Sequence, residues 1–178
     1  MFFTIRIGNY YFKNWELKGE TMTNKLDQLY FDSIVLDVNA NSIKQSYQIL
    51  AEHISQLIGT PKQYIIFHLM AAEKNETAAV GNGIAIPHMR LERLTRPMVV
   101  FMKLNKGVSC DSHDGLPADL FCLVLSPDYE GVKHIQRLSM VSRCFKNEDF
   151  CKKLRNVKSK ADVRNALKEM NQKRAAAA

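Results

Sequence analysis

The sequence lacks any apolar run long enough to span a bilayer. The best candidate, Tyr64 to Ala72, falls well short of the ~18–20 residues that a membrane helix needs. The N-terminus has no basic segment leading into a continuous apolar one, so we expect no secretory signal. The four cysteines include no Cys-x-x-Cys pair. These absences together predict a cytoplasmic protein with reduced thiols.

Signatures of two other function classes are also missing. No Gly-x-Ser-x-Gly elbow supports a Ser/His hydrolase. Metal-ligand side chains do cluster at Cys110, Asp111, His113 and Asp114. Four ligands so close in one turn would struggle to close a tetrahedral shell, and Asp114 followed by glycine favours a turn. We therefore predict no metal site.

Composition and charge are those of one globular domain with a basic C-terminal segment. The 178 residues are 46% hydrophobic and 24% charged, with a net charge of +7. From Lys133 to Arg174, thirteen lysines and arginines stand against four acidic residues. A nucleic-acid-binding domain is one interpretation of this excess. Apolar residues recur between the charges at helical spacing, without an aromatic-rich basic motif, which favours solvated helix faces instead.

The two ends of the chain are predicted to lie outside the domain. Residues 1–21 form an N-terminal extension, either a β-hairpin around Gly8-Asn9 or a segment that is not native. Residues 22–172 form the domain, and residues 173–178 form a tail that ends in four alanines.

Strands and helices alternate between these ends. The predicted strands are Ser33–Val38, Ile84–Ile86, Met98–Leu104 and Ala118–Leu125. Two helices are expected between Ser42 and Ala72. Gly59 ends the first, and Thr60 and Pro61 are the N-cap and the first helical residue of the second. Three more follow, a long one carrying Ile135 to Phe145, a short one after Asn147 and a last one capped by Ser159 and Asp162. The pattern predicts a single layered α/β domain, with a mixed, mostly parallel sheet and helices on both faces.

The strongest chemical signal is the segment from Gly81 to Arg90. His88 emerges directly after a short apolar strand, with a proline fixing its approach and glycines nearby. Glycines allow a backbone to approach an anion and present its N–H groups. Arg90 would point to the same side as His88 in an extended segment, and its planar fork could hold two phosphoryl oxygens.

A second histidine supports an anion site. His134 stands near the start of the long helix, where backbone N–H groups and the helix dipole favour an anion. Its neighbour one turn on is Leu138, so His134 lies at the edge of the buried face and is aimed at the body of the domain. His88, Arg90 and His134 are therefore the candidate site.

The order and spacing of motifs from Leu26 to Met170 resemble a known family. The motifs are Glu73-x-x-x-Thr77, the Gly81–His88 run, Pro97, Gly107-Val108, Asp114-Gly115-x-Pro117, Pro127 and His134-Ile135-x-x-Leu138. The chain resembles the enzyme IIA domains of the phosphoenolpyruvate-dependent phosphotransferase system, in the fructose/mannitol/nitrogen class. The Gly-Asn-Gly form and the stretch Phe150–Arg155 are most similar to the nitrogen-regulatory subclass. Ala72 departs from the family's usual arginine, and Arg90 from the lysine frequent in that subclass.

This resemblance implies a phosphoryl carrier without a cofactor. His88 is the expected acceptor, taking phosphate from a histidine-containing phosphocarrier protein, while Arg90 and His134 stabilise the moving charge, His134 as a hydrogen-bond donor. The other residues expected to support the phosphate are Glu73, Thr77, Gly81, Asn82 and Gly83.

The resemblance implies two uses of the same chemistry. In the favoured one, the protein is a nitrogen-type regulator whose phosphorylation state selects partners such as sensor kinases or ion transporters. In the alternative, it relays phosphate to the IIB component of a sugar transporter. A nucleic-acid-binding domain is a third hypothesis. We expect Ile84, Ile86 and Met89 to give the surface near His88 an apolar character on which a partner could dock.

Overall fold

The computed structural model describes residues 28–176 together with strands β1 (Ile5–Ile7) and β2 (Tyr10–Phe12). These two strands pair antiparallel. The Gly8-Asn9 turn predicted between them lies outside the described residues. The division into an extension of residues 1–21, a domain and a tail stays a prediction.

The remaining strands form one six-stranded mixed sheet. They are β3 (Ser33–Val38), β4 (Ala79–Gly81), β5 (Ile84–Ala85), β6 (His88–Leu91), β7 (Met98–Val108) and β8 (Ala118–Pro127). The order is β3-β7-β8-β5-β4, and β6 also pairs with β8. The pairs β3–β7, β5–β8 and β6–β8 are parallel, while β7–β8 and β4–β5 are antiparallel. The predicted mixed, mostly parallel sheet is confirmed.

Five helices complete the domain. They are α1 (Ile43–Ile58), α2 (Lys62–Asn75), α3 (Gly131–Phe145), α4 (Glu148–Asn156) and α5 (Lys160–Ala176). Ser42 caps α1 through a hydrogen bond from the backbone N–H of Gln45. The left-handed Gly59 ends the helix, as predicted. Within the described residues, no helix is long and apolar enough to cross a membrane.

The start and end of α2 differ from the prediction. Pro61, not Thr60, occupies the N-cap position, with ψ at 131°, and no side chain caps the helix. Proline fixes only φ, so its ring fits the residue before the first helical turn as well as the turn itself. At the other end α2 continues past Ala72 to Asn75.

The sheet is covered on both faces, as predicted. Leu120 and Val124 of β8 enter a core shared with α3, α4 and α5. Phe121 and Leu125 of the same strand enter a second core, shared with α1 and α2. Alternate residues of one strand point to opposite faces, which explains why this segment reads as a continuous apolar run.

The basic C-terminal segment forms the outer faces of α3, α4 and α5. Ten of its thirteen lysines and arginines are exposed, as the helical spacing predicts. Arg155 and Arg174 are half-buried, and Arg137 is buried, with only 7% of its surface exposed.

Candidate functional site

The structure brings His88 and His134 into contact. His88 begins β6, and His134 lies in the first turn of α3. Nε2 of His134 is 3.2 Å from Nδ1 of His88, and the ring centroids are 5.3 Å apart. His134 is 6% exposed, whereas His88 is partly open to solvent.

The strand order explains this meeting. Because β6 runs parallel to β8, His88 lies beside Val124, and β8 ends at Pro127. A turn closed by a hydrogen bond from the N–H of Glu130 to the carbonyl of Pro127 then leads into α3. No side chain caps the start of α3, and its first turn contains no acidic residue. The positive end of the helix dipole therefore remains available to an anion beside the two histidines.

His134 is held neutral by its surroundings. Its Nδ1 lies 2.8 Å from Oγ of Ser126. Burial lowers the pKa of His134 to about 4, with further contributions from the nearby His88, Arg90 and Arg137. Near pH 7 the ring is therefore uncharged, and its two nitrogens act as one donor and one acceptor.

His88 is also favoured in its neutral form. Burial lowers the pKa of His88, and the carboxylate of Glu76 partly offsets that effect. A neutral imidazole has one nitrogen with a free lone pair. Nδ1 faces His134, and Nε2 is the nitrogen that this contact leaves unengaged.

Arg90 lies on the same side of β6 as His88, with Met89 pointing inward between them. Nη1 of Arg90 donates to the carbonyl of Asp128 at 3.2 Å, and Nε lies 3.7 Å from a carboxylate oxygen of the same residue. The guanidinium is held beside the start of α3, and nearly half of the side chain remains exposed. It can meet an anion arriving from solvent.

Glu73 and Thr77 act on the segment before His88 through the backbone. The carboxylate of Glu73 accepts hydrogen bonds from the hydroxyls of Tyr47 and Thr77 and from the N–H of Ala78. The carbonyl of Ala78 in turn accepts from the N–H of Ile86 at 2.8 Å. These contacts position the strand that leads to His88, and direct support of a phosphate by either residue stays a prediction.

The turn Gly81-Asn82-Gly83 lies at the far end of β5 from the histidines. Ile84, the residue after Gly83, pairs with Leu120 of β8. His88 pairs with Val124, which lies four residues, or about 13 Å, further along β8.

The turn makes its hydrogen bonds with residues other than the two histidines. The N–H of Asn82 donates to Asp114 at 2.6 Å, and its carbonyl accepts from Arg155 at 2.5 Å. Asp114 also accepts from the N–H of Leu116 at 3.1 Å, as expected of a turn residue. These contacts hold the turn itself, and phosphate support by the three residues stays a prediction.

Four residues near the histidines were missed in the sequence. Ser126, Glu130 and Arg137 lie in one hydrogen-bonded chain with His134, and Glu76 lies close enough to His88 to offset part of the lowering of its pKa by burial. A signal existed for two of them, because Ser126 interrupts an apolar strand and Arg137 follows His134 by one helical turn. Glu76 lies in a segment with no regular pattern.

The residues predicted to form an apolar surface around His88 are wrong. Ile84, Ile86 and Met89 are all buried, because both faces of the sheet are covered by helices. The exposed apolar side chains nearest in sequence to His134 lie in the turn before α3 and in its first turn instead. Tyr129 is 76% exposed and Val132 is 73% exposed.

The fold and the site define an open α/β domain that presents a neutral, partly exposed histidine, backed by a second histidine and an uncapped helix start. The family model described as "Phosphoenolpyruvate-dependent sugar phosphotransferase system, EIIA 2" matches residues 29–170, and the chain belongs to this family.

Relatives within the family include regulators and a sugar-specific component. The chain is 36% identical over 124 residues to a nitrogen regulatory protein of Bradyrhizobium diazoefficiens, covering 70% of this chain and 81% of that one. It is 36% identical over 102 residues to a fructose-specific EIIA component of Haloferax volcanii, covering 57% and 66%. The crystal structure of nitrogen regulatory protein IIA-Ntr from Neisseria meningitidis superposes with a TM-score of 0.71 at 26% identity, covering 80% and 94%.

Proposed function

We propose that this protein is a nitrogen-regulatory phosphocarrier that accepts a phosphoryl group on Nε2 of His88. The donor is the phosphohistidine of a histidine-containing phosphocarrier protein in the cytoplasm. The observation that carries the proposal is the contact between Nδ1 of His88 and Nε2 of His134 at 3.2 Å. It occupies one nitrogen of the acceptor ring and leaves the other for the reaction.

The transfer balances without a cofactor. The lone pair on Nε2 of His88 attacks phosphorus, the bond from phosphorus to the donor imidazole breaks, and that electron pair stays on the donor nitrogen. Nδ1 of His88 keeps its proton throughout. Such a step depends on positioning and on stabilising the charge of the moving group. Arg90 and the uncapped start of α3 are placed to provide that stabilisation.

The role of His134 differs from the one that the resemblance implies. Both of its ring nitrogens are engaged, one with His88 and one with Ser126, so neither is free to donate to the phosphoryl oxygens. We assign it instead as the acceptor of the N–H on Nδ1 of His88. The bond to His88 strengthens as phosphorylation draws electrons from that ring.

The names of the relatives support a regulatory use. The relative from Bradyrhizobium and the structural neighbour from Neisseria are both described as nitrogen regulatory proteins. On this proposal the phosphate changes which proteins the domain binds, and sensor kinases and ion transporters are the partners to test. The relative from Haloferax supports the second candidate function, relay to a sugar-specific IIB component.

The exposed residues beside the site suggest how phosphate would act on a partner. Tyr129 and Val132 form an apolar surface next to the acceptor histidine. A partner that covers this surface would bury the phosphate on His88, and an unpaired buried charge is costly. We expect a regulatory partner to bind the unphosphorylated form more tightly.

Binding to candidate kinases and transporters tests this use. Unphosphorylated protein and the His88→Ala variant should bind a partner equally well, and protein phosphorylated by the donor system should bind it at least tenfold more weakly. His88→Asp adds charge without phosphate and should weaken binding in part. Rapid, sugar-dependent loss of phosphate to a IIB component, with no partner that distinguishes the two forms, would favour the relay function instead.

A further inference from the structure

A buried chain of polar side chains lies behind the histidine pair. Ser126, which is 0% exposed, contacts Nδ1 of His134 through Oγ. Nη1 of Arg137 donates to the same oxygen at 2.9 Å. Nη2 of Arg137 donates to Oε2 of Glu130 at 2.5 Å. The chain runs from Glu130 through Arg137, Ser126 and His134 to the acceptor ring of His88.

The burial of Arg137 points to a role beyond stability. A buried ion pair loses hydration on both charges, and an apolar pair of similar size is often as stable. Arg137 and Glu130 nevertheless lie under the reacting end of the domain, with side-chain exposures of 8% and 11%. Ten other basic residues of the same segment remain exposed. Arg137 is therefore the buried basic residue of this segment, and it contacts the site from inside the domain.

The hydrogen-bonding capacity of Ser126 explains what such an arrangement does. A hydroxyl oxygen accepts two hydrogen bonds. Arg137, which is always charged and can only donate, takes one of the two positions on Oγ of Ser126. The second lone pair can accept the N–H on Nδ1 of His134, which lies 2.8 Å away, although the hydroxyl itself can also donate. Only the first direction leaves Nδ1 of His88 protonated and its Nε2 lone pair free, as the proposed function requires. Nε2 of His134 is then an acceptor for Nδ1–H of His88.

We propose that Arg137, held by Glu130, acts through Ser126 as a positioning residue that fixes the ring and the tautomer of His134, and so directs the free lone pair of His88 to Nε2. This inference rests on the proposed function for its catalytic consequence. Its structural content, the tautomer of His134, can be measured without any phosphoryl donor.

The experiment uses two alterations of the chain and one control. Ser126→Ala removes the bridging oxygen and little else. The pair Arg137→Met with Glu130→Gln removes both charges together, so that no carboxylate is left buried alone. Ser46→Ala is the matched control, because Ser46 is equally buried on α1, on the other side of the sheet. Circular dichroism and urea unfolding establish that each variant is folded.

Two measurements are made on each folded variant. Long-range proton–nitrogen correlation spectra of ¹⁵N-labelled protein report which nitrogen of each histidine carries the proton, and rapid-quench labelling reports the rate of phosphoryl transfer. Wild type and Ser46→Ala should show His134 as one tautomer, protonated on Nδ1. Ser126→Ala and the double variant should show a mixture, with transfer at least tenfold slower and phosphate still on His88.

The outcomes separate the two proposals. If His134 keeps a single Nδ1–H tautomer in either altered protein, or if either transfers phosphate within twofold of wild type, the positioning role is wrong. If wild-type protein shows the predicted tautomer but is never phosphorylated, the proposed function fails while the assignment of the polar chain stands.

Discussion

The segment from Gly81 to Arg90 has two ends with opposite characters. At the glycine end, the turn is held by Asp114 and Arg155, and a side chain added at Gly83 would collide with its neighbours. At the histidine end, His88 has one ring nitrogen fixed by His134 and the other free. Both ends contain residue types that are common in anion sites. Only the second combines a nucleophile, a partner for its ring and an uncapped helix start.

This difference shows that the two ends of one short motif have different roles. The glycine end, called the closed end below, fixes the position of β5 against β8. The histidine end, called the open end, presents a reactive group on the strand that follows. The variants below alter one end at a time.

The largest effect is expected at the open end. His134→Ala removes the acceptor for the N–H of His88 and should slow transfer by ~10²–10³-fold, as is usual when one preorganised hydrogen bond is lost. His134→Gln, which keeps a polar side chain of similar length, should recover part of the rate. The control is His113→Ala, which removes a histidine at the closed end. Rapid-quench labelling at matched protein concentration gives the rates, and wild-type transfer by both His134 variants would show that the pocket is misassigned.

A smaller effect is expected at the closed end, and on stability. Gly83→Ala would place a methyl group 2.7 Å from Arg155 and 2.9 Å from Asp119, at a φ of +73°. Gly115→Ala is the matched control, because φ is +68° there and nothing lies within 4 Å of the added carbon.

Both variants carry the left-handed strain of about 1–2 kcal/mol. Only Gly83→Ala must also displace the ion pair between Arg155 and Asp119, in which Nε lies 2.8 Å from a carboxylate oxygen. Urea unfolding should therefore show a free energy of unfolding that is lower for Gly83→Ala than for Gly115→Ala. Equal values would mean that the turn is not tightly packed. The transfer rate of Gly83→Ala then decides whether the turn also supports the phosphate, since a rate within twofold of wild type restricts it to a structural role.

The smallest effect concerns Arg90. Its guanidinium is partly exposed and shared with Asp128, so solvent and salt weaken its field. Arg90→Ala should slow transfer about tenfold, less than the loss of the buried acceptor His134. Arg90→Lys keeps the charge but not the planar fork and should be intermediate. Asp128→Asn removes the neighbouring carboxylate charge, keeps the contact with the backbone carbonyl, and should leave the rate unchanged or raise it. A faster reaction in Arg90→Ala would contradict a stabilising role.

Much of this arrangement could be predicted from the sequence. Periodic apolar residues predict four of the six strands of the sheet, the helices and the covering of the sheet on both faces, because local geometry decides which residues can be buried together. The short strands β4 and β6 were not predicted. His88 follows from its position after a buried strand. His134 follows from the edge of an amphipathic helix.

The remainder depended on contacts between distant segments. Ser126 and Arg137 meet only because β8 and α3 pack at the site, and neither residue type signals its partner. The apolar surface was assigned to Ile84, Ile86 and Met89, which the two layers of helices bury. The distance from the glycine turn to His88 is set by the pairing of β5 and β6 with β8 rather than by their separation in the sequence.

The most direct test of the account is labelling of the acceptor. Wild-type protein incubated with phosphoenolpyruvate, enzyme I and the histidine-containing carrier should take up one phosphoryl group, in a bond that is labile to acid and stable to base. His88→Ala should take up none while its circular dichroism and urea unfolding remain those of a folded protein. His113→Ala should be labelled like wild type. Undiminished labelling of folded His88→Ala would contradict the central claim.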